Sequence, residues 1–101
     1  MPADAVGPEA GGAVRMTAWV HGRVQGVGFR WWTKSRALEL GLVGYAANQA
    51  DGRVRVVVEG PKDRCDEMLR LLWSGDTPGE VDVVVELFGA AQGGLRRFEE
   101  R

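Results

Sequence analysis

Apolar and polar residues alternate at the start of the patterned region, with Val14, Met16, Ala18 and Val20 on one side and Arg15, Thr17, Trp19 and His21 on the other. A period of two predicts a strand with one buried face and one face toward water. Gly22, Gly26 and Gly28 then break the pattern, so 22–28 reads as a loop. From Phe29 the period lengthens. Phe29, Thr33, Ala37 and Leu40 fall on one side of a 3.6-residue helix, and Gly41 supplies its stop, so a helix is predicted over 29–40. Leu42–Asn48 reads as a second strand, and Asp51-Gly52 is a hairpin turn signal. Val54, Val56 and Val58 alternate with Arg53, Arg55 and Glu59 and give a third strand. Gly60-Pro61 opens a second helix, with proline at its first position and Cys65, Met68, Leu69 and Leu72 on its buried face. A loop over 75–79 leads to a fourth strand marked by Val81, Val83, Val85 and Leu87. Leu95–Glu99 forms a short final strand.

The predicted order β-α-β-β-α-β belongs to the α+β class. Alternating strands favour a mainly antiparallel sheet with one wet face, and two amphipathic helices cover the other. This is the split-βαβ, ferredoxin-like α/β sandwich with two helices on one face. Before it, residues 1–13 are small, polar and rich in glycine and proline. They cannot bury enough apolar surface to offset their ordering entropy, so a disordered tail is expected over 1–13 and the domain over 14–101.

Composition narrows the possible functions. The chain has 101 residues and a formal net charge of −1, which argues against a domain devoted to nucleic acid. It holds one cysteine, Cys65, and one histidine, His21. An internal disulfide is excluded, and no metal site is expected. No apolar run reaches the roughly 18 residues a membrane-spanning helix needs, and no signal peptide is legible. A cytoplasmic monomer without membrane or nucleic-acid partners is expected.

The segment with chemical content is Gly22-Arg23-Val24-Gln25-Gly26-Val27-Gly28-Phe29-Arg30, which joins a strand end to a helix start. The first amides of a helix lack internal acceptors, and the helix dipole there favours negative charge. Glycines allow the preceding backbone to turn its amides toward one point. Such a concavity suits a phosphate or sulfate, and Arg30 adds a guanidinium fork that can grip two of its oxygens. No Gly-Lys-Ser/Thr follows, and the third glycine of the dinucleotide fingerprint is missing. On spacing alone, anion binding and a flexible loop with a solvated arginine both remain open.

The same residues, Gly22-x-Val24-Gln25-Gly26-Val27-Gly28-Phe29-Arg30, resemble the signature of the acylphosphatase family. The resemblance continues through Thr33, Ala37 and Leu40-Gly41-Leu42, then Gly44-Tyr45-Ala46-Ala47-Asn48, Asp51-Gly52-Arg53-Val54 and Glu59-Gly60-Pro61. It covers about 14–98. It implies a ferredoxin-like fold and hydrolysis of a small-molecule acyl phosphate to a carboxylate and inorganic phosphate, with no cofactor and no metal. Carried over by motif, Arg30 binds the phosphate and Asn48 orients the attacking water. The backbone amides of Gln25, Gly26, Val27, Gly28, Phe29 and Arg30 form the phosphate cradle. Two departures stand out. Ala46 occupies a place where the family usually has a β-branched residue, and the charged end Phe98-Glu99-Glu100-Arg101 predicts a short or frayed last strand.

Other residues read as structural. Thr33 packs or hydrogen-bonds beneath the loop, Trp32 flanks the core and Trp31 is more exposed. His21 lies on the outer sheet face, and Cys65 belongs to the core. The rival functions are a phosphate- or anion-binding ferredoxin-like module without turnover, an RNA-binding domain using Trp19 on the open sheet face, and the acylphosphatase-like module of hydrogenase-maturation proteins.

Overall fold

The computed structural model describes residues 13–101, so the expected tail lies outside the described residues except for Ala13. The elements are β1 (Val14–Arg23), α1 (Phe29–Glu39), β2 (Val43–Asn48), β3 (Val54–Gly60), α2 (Lys62–Leu72), β4 (Glu80–Ala90) and β5 (Phe98–Glu100). The five strands form one sheet in the order β4-β1-β3-β2-β5. β1 runs antiparallel to both β3 and β4, β2 antiparallel to β3, and β5 parallel to β2. This is the ferredoxin-like α+β arrangement, with a fifth strand added at the β2 edge.

The alternation in β1 becomes the core directly. Val14, Met16, Ala18 and Val20 are buried and meet Val54, Val56 and Val58 of β3 and Val84 of β4. Phe29, Trp32 and Ala37 from α1 and Cys65, Met68 and Leu72 from α2 close over the same face. Both helices therefore cover one side of the sheet, and Arg15, Thr17, Trp19 and His21 lie on the other. No helix among the described residues is long and apolar enough to cross a membrane.

Several details differ from the sequence expectation, among them the last strand, which spans Phe98–Glu100 and not Leu95–Glu99. α1 ends at Glu39, with Leu40 as its C-cap. Pro61 is the N-cap of α2 with ψ 144°, not its first helical residue. Its carbonyl receives the amides of Arg64 and Cys65 at 3.0 and 3.1 Å, so proline serves the helix through its acceptor. In β4 the apolar series Val83, Val85 and Leu87 is 40–63% exposed, and Val84 is the buried residue. Pairing of Val84 with Val20 puts Val84 on the helix side. The register shift at His21/Gly22 then changes the parity of the pairing on the Val81 side.

Glu59 is the one acidic side chain among the buried residues described, and it has a full set of partners. Arg15 Nε donates to it at 2.6 Å, the Gln92 amide at 2.9 Å and the Gly93 amide at 3.2 Å. These bonds fasten the connection that carries the chain from β4 to β5. Burial pushes the carboxyl up, but the Gln92 amide, the Arg15 guanidinium and the Gly93 amide outweigh it and hold Glu59 below its ordinary value of 4.5. The ionised form thus stabilises the fold above the ordinary value, and that contribution is lost as pH falls through the depressed folded value. Glu59→Gln is expected to lower unfolding stability at pH 7 by about 2 kcal/mol. Urea denaturation from pH 7 to pH 3 checks this: the gap to the parent protein should begin to narrow as pH falls past the ordinary value of 4.5 and close only below the depressed folded value.

Candidate active site

The loop between β1 and α1 is fixed at both ends by buried side chains, Val24 and Phe29, each 1% exposed. Burial of a phenylalanine contributes about 1.5–3 kcal/mol, so Phe29 anchors the start of the helix firmly. Between the anchors, Gly26 has φ 74° and Gly28, the N-cap, has φ 86° and ψ 12°. A Cβ added at either glycine would meet no atom within 4 Å. The requirement there is backbone conformation, not space: a side chain would resist the left-handed turn that curls the loop.

The first bond of the helix runs from the Trp32 amide to Gly28 O at 3.0 Å. The amides of Phe29 and Arg30 precede it and have no acceptor within the helix. The first turn of α1 carries no acidic residue, whereas that of α2 carries Asp63. The positive end of α1 is thus left for an external anion. A hollow of about 80 Å³ opens there, lined by Val24, Gly26, Gly28, Phe29 and Arg30, with Trp31 and Glu100 at its edge. Two larger grooves, of about 380 and 460 Å³, lie beside Gly94–Arg101 and Trp73–Asp82 and include neither Arg30 nor a helix N-terminus.

Arg30 is half-buried, and its Nη1 donates to the main-chain oxygen of Arg101 at 2.7 Å. That oxygen also accepts the Asn48 amide at 3.1 Å, while the Arg101 amide donates to Ala46 O at 2.7 Å. The chain beyond β5 therefore runs on beside β2 and ties the guanidinium and the end of β2 to one atom. Asn48 is the exposed last residue of β2, on the helix-covered side shared with Gly44 and Ala46. It does not line the hollow itself; the Arg101 oxygen links it to Arg30.

Gln25 and Val27 also lie outside the lining. Val27 is half-buried against the core. The Gln25 side chain does more than its position in the sequence announces. Its Nε2 donates to Gln49 O at 2.7 Å and to Arg53 O at 2.9 Å. Those carbonyls close the hairpin turn just beyond Asn48, where the Gln49 amide meets Arg53 O at 2.8 Å. Both amide hydrogens of one side chain thus staple the loop to that turn. Gln25→Ala is expected to cut kcat/KM about tenfold, the equivalent of one lost hydrogen bond of about 1.4 kcal/mol. Steady-state kinetics beside a thermal melt check this: kcat and KM should both worsen while the melting temperature drops by only a few degrees.

The remaining residues fall where their periodicity puts them. Trp32 is 8% exposed and Trp31 64%. Thr33 is buried and its hydroxyl donates to Phe29 O at 2.9 Å, inside the helix that carries the loop. His21 is half-buried on the outer sheet face, opposite Val83. Cys65 is buried in the core, which pushes its thiol up to about 11. Three features had no legible sequence signal: the Gln25 staple, the Arg101 oxygen and the place of Glu100. Each depends on contacts between segments far apart in the chain.

The sequence model of the acylphosphatase family matches residues 16–99. An acylphosphatase of Rhodococcus jostii is 70% identical over 87 residues, covering 86% of this chain and 98% of that protein. One of Nocardia farcinica is 64% identical over 92 residues, covering 91% and 92%. Among solved structures, acylphosphatase from Bacillus subtilis superposes with a TM-score of 0.81 at 30% identity, covering 87% of this chain and 98% of that one.

Proposed function

The chain belongs to the acylphosphatase family, and on that premise we propose that it hydrolyses acyl phosphates at the hollow in front of α1. The reaction adds water to phosphorus and releases a carboxylate and inorganic phosphate. The observation that carries this siting is the single Arg101 oxygen that joins Arg30 and the Asn48 backbone beside a helix whose own first turn carries no acidic residue.

Phosphoryl transfer asks a protein chiefly for positioning and charge stabilisation. The amides of the lining residues Gly26, Gly28, Phe29 and Arg30 and the Arg30 guanidinium meet the charge on the equatorial phosphate oxygens. A carboxylate is a good leaving group, so strong acid assistance at the departing oxygen is not needed. Asn48 is neutral at all working pH values; its side-chain amide accepts a hydrogen bond from water and donates another. It holds the water in line with the bond that breaks, and the water's proton passes to a phosphate oxygen of the substrate. The protein acts as a cytoplasmic monomer. Its net charge of −1 and its isolated, buried thiol are compatible with that setting.

Hydrolysis of benzoyl phosphate in the presence of EDTA tests the proposal. Turnover that EDTA leaves unchanged is expected. Binding of phosphate without turnover would favour the anion-binding module instead, and a requirement for added metal would contradict the mechanism.

A further inference from the structure

The hollow at α1 has a volume of about 80 Å³, well below the roughly 300–1,000 Å³ typical of pockets that enclose whole organic ligands. It has room for a phosphate group but not for the acyl part as well. With the phosphate seated on the loop, the acyl group has to lie against the edge of the hollow, and two side chains define that edge.

Trp31 follows Arg30 on α1 and is 64% exposed, with an indole that the core leaves uncovered. Glu100 ends β5. Its pairing with Ala46 places it on the helix-covered side of the sheet, toward the loop. Glu100 makes no ion pair among the described residues, while its neighbour Glu99 takes both Arg97 and Arg101. The edge of the hollow that Arg30 lines thus carries a carboxylate engaged in no ion pair among the described residues, next to a bare aromatic face.

We propose that Trp31 and Glu100 form the acyl subsite, which selects acyl phosphates with an apolar or aromatic acyl part and disfavours those carrying a second negative charge. This rests on the siting of phosphate hydrolysis at the loop and adds the substrate class. Trp31 offers a large apolar surface to an aromatic ring. Glu100 repels a distal carboxylate or phosphate through a few ångströms of partly aqueous space, where one unit charge changes an affinity by about tenfold. The repulsion is screened by salt, so the selectivity should weaken as ionic strength rises.

The experiment compares kcat/KM for acetyl phosphate, benzoyl phosphate and 4-carboxybenzoyl phosphate with the parent protein, Trp31→Ala, Glu100→Gln and Glu100→Lys. The parent should prefer benzoyl phosphate to both others. Glu100→Gln should raise the carboxybenzoyl-to-benzoyl ratio about tenfold, and Glu100→Lys should raise it further. Trp31→Ala should lower the benzoyl-to-acetyl ratio about tenfold. Both side chains are exposed, so the variants should fold like the parent, as circular dichroism will show. Ratios unchanged across all variants of an active enzyme would overturn the subsite and leave the hydrolytic reading intact. A folded parent protein that turned over none of the three substrates would overturn both.

Discussion

Replacing Arg30 with alanine is expected to lower kcat/KM for benzoyl phosphate by about 10³-fold, with both a higher KM and a lower kcat. Arg30 is the cationic side chain that lines the hollow, and its guanidinium is held by the Arg101 oxygen at 2.7 Å. Removal of one preorganised donor to a developing oxyanion typically costs about 10²–10³ in rate. Arg30 adds a full charge to that, so the upper end of the range applies. The charge interacts with phosphate in the ground state as well as the transition state, which is why KM rises too. Arg30→Lys should recover only part of the loss. An ammonium restores the charge but not the planar fork that matches two phosphate oxygens while a third donor keeps its hold on the Arg101 oxygen. Inhibition by inorganic phosphate should weaken in parallel in both variants. An alanine variant with near-parental kcat/KM would remove Arg30 from the site.

Asn48→Ala is expected to lower kcat by about 10²-fold while KM for benzoyl phosphate changes less than threefold. The difference from Arg30 follows from position. Asn48 is exposed at the end of β2 and does not line the hollow, so the expected loss falls on kcat and not on substrate binding. The bond that places it, from its backbone amide to Arg101 O at 3.1 Å, survives the substitution. Only the side-chain amide disappears, and with it the two-way hydrogen bonding proposed to hold a water in line. Asn48→Asp should not rescue the rate. A carboxylate accepts from water but cannot donate, and its charge opposes the phosphate. A large rise in KM with kcat preserved would reassign Asn48 to substrate binding.

Much of the fold was legible because the strands of this chain alternate cleanly. Val14 to Val20 give their buried face by parity alone, and Val54, Val56 and Val58 are buried as their parity predicts, although central β3 also buries Val57 and Glu59 on its other face; Asp51-Gly52 fixes the hairpin between β2 and β3. β4 shows where parity stops. Val81, Val83, Val85 and Leu87 look like a buried face in sequence, yet as an edge strand β4 takes its facing from its single partner, and Val84 is set inward by Val20. Position in a sheet is not encoded in a strand's own pattern. The same holds for β5, whose three residues pair in parallel with β2 from the far end of the chain.

The candidate site divides in the same way. Gly26, Gly28 and Arg30 were readable because a glycine loop before a helix and an arginine in its first turn are local features with a direct physical meaning. The Gln25 staple to the carbonyls of Gln49 and Arg53 and the Arg101 oxygen between Arg30 and Asn48 join residues 24 to 71 positions apart. Nothing in the local sequence of either partner marks them. They also give the loop a fixed geometry, because they tie the guanidinium, the loop and the end of β2 to the same turn and strand.

The most direct test is a titration of the protein with inorganic phosphate, followed through its backbone amide resonances. Saturable shifts concentrated at Gly26, Gly28, Phe29 and Arg30, lost in Arg30→Ala, are expected. Shifts centred on the larger groove at Gly94–Arg101, or a response that Arg30→Ala leaves intact, would contradict phosphate binding at the mouth of α1.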